Sequence, residues 1–123
     1  MEKDIKSFRD LNIWHKGIDL VKNVYKESQN FPREEIYGLT NQLRRAAISI
    51  PSNIAEGHTR EHLNEYLQHI SIAQASLAEL QTQLEIAKRL SYIPMEDFTT
   101  TQKQAESLSK QLYALRNSLK KRG

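Results

Sequence analysis

The sequence contains no cysteine, and its 123 residues include only four glycines and three prolines. The absence of cysteine excludes disulfide bonds, a thiolate nucleophile and a cysteine-ligated zinc site, and it suits the cytoplasm, where we expect the protein to reside. No apolar run approaches the roughly 20 residues that a membrane span requires, and Met1–Lys6 lacks the apolar core of a signal peptide. The four dispersed glycines form no phosphate-binding loop, and no catalytic motif is present. We therefore expect neither an enzyme nor a cofactor.

The excess of positive charge is small but unevenly distributed. The chain has 18 Lys and Arg against 15 Asp and Glu, which gives a net charge of +3. Ser107–Gly123 contains five cations and no acid. We predict that any nucleic-acid surface consists of this run and an arginine pair: Arg44, Arg45, Lys110, Arg116, Lys120, Lys121 and Arg122. The alternative is that these cations serve solubility and complement the dipole of the last helix.

Apolar residues recur at steps of three and four through four segments, and no segment alternates as a β-strand would. The pattern predicts an all-α protein with helices over about 10–30, 33–57, 60–91 and 95–121, all in one domain spanning 1–123. We expect Asp10 to cap the first helix and Gly57 to end the second in a left-handed conformation. Long helices joined by short connections favour an antiparallel, up-down-up-down four-helix bundle.

The third helix has two apolar stripes. The first follows an unbroken heptad from Leu63 to Ala87 and predicts the core-facing side. The second consists of Ile72, Ile86 and Leu90 on either side of Glu79, and it lies away from the first. It indicates either a subunit interface built from these four residues or an unusually wide buried face within one bundle.

The second helix contains an internal proline, Pro51, which removes a backbone hydrogen bond and costs about 3 kcal/mol in a helix interior. We expect Ser49, Ser52 or Asn53 to satisfy the carbonyl left free near Ala47. We predict that Asn53 and Glu56 stabilise the chain after Pro51 through hydrogen bonds, so that Pro51, Asn53, Glu56 and Gly57 form a structural motif. The alternative is a ligand or nucleic-acid site at the proline.

Three histidines lie near the start of the third helix. His58 and His62 have the i,i+4 spacing that can hold zinc, and His69 and two glutamates, Glu61 and Glu65, lie nearby. A solvated helix start also explains these residues, and the Glu-x-x-His pairs of di-iron bundles are absent. We therefore predict no metal site.

Three strings carry a resemblance to a known family. Phe8–Trp14, Phe31–Ala46 and Ser49–Gly57, which ends in Asn-Ile-Ala-Glu-Gly, closely resemble the four-helix-bundle proteins found as reading frames inside intervening sequences of large-subunit ribosomal RNA genes. Ser76–Leu80 and Leu90–Ile93 agree with the third helix of that family and the turn after it. The match extends from Phe8 to about Leu119. It departs at Ala75 and Ser91, where members often have glycine.

The resemblance implies a non-enzymatic bundle that assembles with copies of itself into a ring, commonly a homopentamer, with no established biochemical activity. One branch of that family acts as the accessory protein of reverse transcriptases in diversity-generating retroelements, but a net charge of +3 does not place this chain there. Two hypotheses follow. The protein is either an adaptor that contacts RNA, DNA or a nucleic-acid-handling protein, or a ring that binds only proteins. Neither involves a membrane.

Overall fold

The computed structural model describes residues 5–123 as four α-helices and two short 3-10 turns. The helices are α1 (Asn12–Ser28), α2 (Leu39–His58), α3 (Leu63–Arg89) and α4 (Met95–Lys120), and the turns are Phe8–Asp10 and Arg33–Glu35. The predicted all-α class is confirmed. Residues 1–4, which contribute to the expectation of no signal peptide and to the predicted domain, lie outside the described part.

The helices form an antiparallel bundle in which each contacts the two adjoining helices, α2 and α3 most extensively. Their inner faces supply a continuous core. The largest fully buried side chains are Leu20, Val24, Leu43, Ile50, Ile54, Ile70, Leu77, Leu80, Leu84, Leu108, Leu112 and Leu119. Within residues 5–123, no helix is long and apolar enough to cross a membrane.

The first helix begins two residues later than the sequence suggested. Asp10 is not its N-cap, because the carboxylate of Asp10 accepts hydrogen bonds from the backbone N–H groups of Lys6 and Ser7. Together with the Ser7 side chain, Asp10 forms a capping box around the preceding 3-10 turn. The extended backbone of Leu11 then separates that turn from α1.

The second helix begins at Leu39 rather than near residue 33. Gly38 has φ −113° and ψ −115°, which are not helical angles, so α2 begins after it. Because glycine has no side chain, Gly38 cannot itself cap the helix. The carboxylate of Glu35 replaces that cap, accepting from the Leu39 N–H at 3.1 Å and from the Tyr92 hydroxyl at 2.9 Å. This hydrogen bond to Glu35 raises the pKa of Tyr92. Glu35 thus joins the start of α2 to the turn between α3 and α4.

Two glycines allow close contact between helices. A Cβ placed on Gly17 would lie 3.2 Å from Pro51 Cβ, so the buried Pro51 ring packs directly against the backbone of α1. A Cβ on Gly57 would lie 2.8 Å from His69 Cβ. Gly57 has a negative φ and lies inside α2, so the predicted left-handed cap is wrong. Packing against α3 explains this glycine instead.

One buried polar contact joins α1 to α4. The hydroxyl of Thr101, itself fully buried, donates to the carboxylate of Glu27. Burial raises the pKa of Glu27, with the nearby Asp97 acting in the same direction, whereas the Thr101 hydrogen bond lowers it. Burial outweighs the hydrogen bond, so this pair contributes a specific contact rather than a strongly held charge.

The turn after α3 has the geometry of a Schellman motif. The Tyr92 N–H donates to the Ala87 carbonyl at 2.9 Å, and the Ser91 N–H donates to the Lys88 carbonyl at 3.0 Å. This motif requires a left-handed residue, and Ser91 adopts it with φ 61°. Ser91 therefore occupies a left-handed position that is usually glycine in this turn.

Replacing Ser91 with glycine is expected to stabilise the protein by about 1 kcal/mol, because the side chain of a non-glycine residue is strained in the left-handed region. Denaturant unfolding measures the change as a higher midpoint with an unchanged slope. Ser91→Ala is the matched control, since it keeps the Cβ and should bring no such gain. Equal midpoints for the glycine and alanine variants would contradict strain at this position.

Candidate nucleic-acid interface and assembly face

The polar residues around Pro51 form a hydrogen-bonded chain between α2 and α3. The Asn53 side-chain amide donates to the Ser49 carbonyl at 2.8 Å, and the Ser49 hydroxyl meets that of Ser76 at 2.9 Å. Asn53 Oδ1 therefore faces His69 Nδ1, 2.9 Å away, and this nitrogen must carry a proton. The chain bridges the two helices beside the proline.

The hydrogen bonds around Pro51 differ from the predicted arrangement in two ways. The Asn53 amide bonds the carbonyl of Ser49 rather than that of Ala47. The Glu56 side chain is exposed and makes no hydrogen bond within residues 5–123. The predicted stabilising hydrogen bond of Glu56 is therefore not present there. The partner that the sequence left unidentified is His69, which belongs to a different helix.

The three histidines do not converge. His69 bonds to Asn53, His58 packs edge-on against the Tyr66 ring at 5.9 Å, and His62 precedes α3 as its extended N-cap residue. Among residues 5–123, no group of three or more His, Cys, Asp or Glu side chains could hold a metal ion.

The second stripe of α3 lies on its outward face. Ile72, Ile86 and Leu90 are 41%, 43% and 51% exposed, and Glu79 is exposed between them. This removes the alternative of a wide buried face within one bundle. Ala75 is also exposed on this face, so none of the other helices described between residues 5 and 123 approaches it. We call Ile72, Ala75, Glu79, Ile86 and Leu90 the α3 outer face.

The predicted basic set does not form one surface. Arg44 contacts α1: its Nε donates to Ser28 Oγ at 2.8 Å, and its guanidinium lies 4.5 Å from the centre of the Tyr25 ring. Arg45 instead lines a groove of about 440 Å³ between α2 and α3, opposite Glu79. Both arginines lie in the first turns of α2, roughly 25 to 30 Å along the bundle from Lys120, at 1.5 Å per residue.

Four of the predicted C-terminal cations lie where α4 ends, beside the start of α3. Lys120, Lys121 and Arg122 are exposed there, and Arg116 is half-buried one turn before the end. Lys110 is exposed but lies about 15 Å before Lys120 along α4, so it is not part of this cluster. Other cations at this end come from segments that the sequence analysis did not connect with α4. We define the basic end by Lys6, Arg9, Arg60, Arg116, Lys120, Lys121 and Arg122.

A cavity of about 580 Å³ opens at the basic end. Its apolar wall consists of Ile5, Leu11, Leu63, Leu115 and the Tyr66 ring, with the fully buried Leu119 behind them, and polar side chains surround the wall. The polar lining residues are His58, Arg60, Glu61, His62 and Arg122. We call this the end cavity.

Charge and burial act on the tyrosine of the end cavity. Burial raises the pKa of Tyr66, and the positive charge of Arg122 acts in the opposite direction. Arg60 also forms an exposed ion pair with Glu65, with 3.7 Å between Nη1 and Oε2. The cavity therefore combines an apolar wall, a protonated tyrosine and two guanidinium groups.

The sequence pattern did not indicate the end cavity. Its residues come from the end of α2, from α3 and α4, from the segment before α1 and from the loop before α3, so they are far apart in the chain. One signal was present: His58 and His62 flank Arg60 in the sequence, but their spacing relates only to a possible zinc site, which was not predicted.

The family model for 23S rRNA-intervening sequence proteins matches residues 9–114. The chain belongs to this family. The match covers all of α1, α2 and α3 and most of α4, so it includes both the Asn53 chain and the α3 outer face. The family identification made from the sequence motifs is confirmed.

A solved structure of another protein has the same fold. A protein of unknown function from the S23 ribosomal protein family of Bacteroides thetaiotaomicron matches with a TM-score of 0.79 and 19% sequence identity. The match covers 85% of this chain and 95% of that one. A comparison with curated protein sequences finds no match. The family is thus described by where its genes occur, and its biochemical role is not established.

Proposed function

We propose that this protein is a non-enzymatic, cytoplasmic, homo-oligomeric adaptor that contacts RNA, DNA or a ribonucleoprotein through its basic end. The observation that carries the proposal is the concentration of cations at one end of the bundle. Nucleic acids are bound mainly through phosphate neutralisation, so a surface where cations concentrate is the electrostatic footprint expected of such a protein.

The two ends of the bundle differ in net charge. Within residues 5–123, the seven cations of the basic end face only four acids, which are Asp10, Glu56, Glu61 and Glu65. At the opposite end of the described chain, cations and acids are nearly balanced. The acids there are Glu27, Glu34, Glu35, Glu85, Glu96 and Asp97, and the cations are Lys22, Lys26, Arg33, Arg44, Arg45, Lys88 and Arg89. Folding therefore concentrates the excess positive charge at one end of the bundle.

An exposed apolar face on α3 supports the homo-oligomeric part of the proposal. The α3 outer face exposes three large aliphatic side chains that have no partner within the described chain. A ring, with five subunits as the family resemblance implies, would cover this face and bring several basic ends together. Several weak phosphate contacts acting together bind far more tightly than one. The same apolar face also favours the alternative, a ring that binds only proteins.

Removing charge from the basic end tests the proposal. Lys120→Gln, Lys121→Gln and Arg122→Gln combined should weaken binding of labelled RNA or DNA, because three phosphate contacts are lost. The slope of log affinity against log salt should become shallower by about 2 per chain for a single-stranded ligand. Fluorescence anisotropy across a salt series measures both changes, and light scattering checks that the oligomer is intact.

The matched control removes the same charge elsewhere. Lys22, Lys26 and Arg33 are exposed toward the opposite end, and their replacement by Gln should leave affinity and salt slope close to those of the parent. Equal weakening by both triple variants would show that only net charge matters. Absence of parent binding at low salt would reject the adaptor and favour the protein-only ring.

A further inference from the structure

We infer that the end cavity binds one unpaired nucleotide of a single-stranded nucleic acid, with its base against the apolar wall and its phosphate at Arg60 and Arg122. The inference rests on the proposed function and specifies its ligand. It requires a strand with accessible bases, whereas the concentration of cations alone is compatible with any nucleic acid.

The two parts of a nucleotide match the two parts of the cavity. A base presents flat apolar faces, and the wall offers Ile5, three partly exposed leucines and the Tyr66 ring. Stacking on an aromatic side chain or packing against aliphatic groups binds bases with little dependence on sequence. The cavity volume of about 580 Å³ lies within the range typical of small-molecule sites.

The rim supplies groups for the phosphate. The guanidinium of Arg122 forms no ion pair within residues 5–123, and that of Arg60 makes only an exposed pair whose atoms lie 3.7 Å apart. Guanidinium groups bind phosphate oxygens in a bidentate manner, and His62 adds a further exposed donor. Glu61 is an acid in the same rim, so the charge there is moderate rather than extreme.

The cavity selects single strands for a geometric reason. In a duplex the base faces are stacked against one another, so an apolar wall behind a rim cannot reach them without unstacking. A single strand can splay out one base at little cost, which is how sequence-tolerant proteins bind such strands. Lys120 and Lys121, which are exposed beside the cavity but do not line it, then contact neighbouring phosphates.

A comparison of complete and abasic oligonucleotides tests the inference. Short single strands of RNA and of DNA are labelled and prepared with all bases or with none, so that each pair carries the same phosphates. For the intact protein, anisotropy should show about a fivefold or larger loss of affinity for the abasic strand. The sugar type with the larger loss identifies the natural source of the nucleotide.

Two single variants locate the effect. Leu63→Gln changes the apolar wall of the cavity, whereas Lys121→Gln removes one charge from an exposed residue that does not line it. Leu63→Gln should reduce the ratio of complete to abasic affinity toward one, because the base loses part of the wall while the phosphate contacts stay. Lys121→Gln should weaken both strands by a similar factor and leave the ratio unchanged.

The outcomes separate this inference from the proposed function. Equal affinity for complete and abasic strands, or binding of a duplex as tight as that of the complete strand, would overturn the nucleotide site while leaving the adaptor intact. An equal fall of the ratio in both variants would place base recognition outside the cavity and also overturn it. Absence of binding to any strand at low salt would reject the adaptor and the nucleotide site together.

Discussion

Replacing Ile72 and Ile86 with glutamate should convert the proposed oligomer into a folded monomer. Both side chains lie on the α3 outer face, 41% and 43% exposed, so charge is tolerated there in the single chain. In a subunit interface the same carboxylates would be buried without partners, which costs several kcal/mol. Light scattering should show the mass falling to that of the 14.3 kDa chain, with the helical circular dichroism unchanged.

The matched control places two glutamates on another helix. Met95 and Tyr113 are apolar, 62% and 60% exposed, and belong to α4. Met95→Glu and Tyr113→Glu combined change the net charge equally and should leave the oligomer mass as in the parent. If the parent is already monomeric at micromolar concentration, or if the double α3 variant keeps the mass of the parent, the α3 outer face is not a subunit interface.

Replacing Asn53 with alanine should cost about 1 to 3 kcal/mol of folding free energy, the second large effect. The substitution leaves the His69 ring nitrogen without its acceptor and the Ser49 carbonyl without its extra donor. Both lie between α2 and α3, the pair of helices with the most extensive contact. Denaturant unfolding should show a lower midpoint.

Glu56→Ala is the control for this substitution. Glu56 lies one turn after Asn53 on α2, but its side chain is exposed, so the free energy of unfolding should change by less than about 0.5 kcal/mol. If Asn53→Ala unfolds at the same denaturant concentration as Glu56→Ala, the hydrogen-bonded chain contributes nothing measurable. The side-chain pattern around Pro51 would then be incidental.

Local sequence predicted the candidate sites only in part. Periodicity correctly placed Ile72, Ile86 and Leu90 away from the core, because residue spacing determines direction on a helix. Periodicity did not show that Arg44 and Arg45 lie on different surfaces of the bundle. Adjacent helical residues differ by about 100° in direction, so these two side chains reach different neighbours, one toward α1 and one into the groove beside α3.

The sequence by itself determined the four helices, their core stripes and the family, because each depends on residue spacing or on a continuous string. The tertiary structure decided the rest through contacts between distant segments. Glu35 and Tyr92 position the start of α2, and Gly57 is required by the side chains of α3. The basic end likewise exists only because antiparallel packing brings the termini of four helices together. Local sequence patterns do not indicate which distant residue completes such a contact.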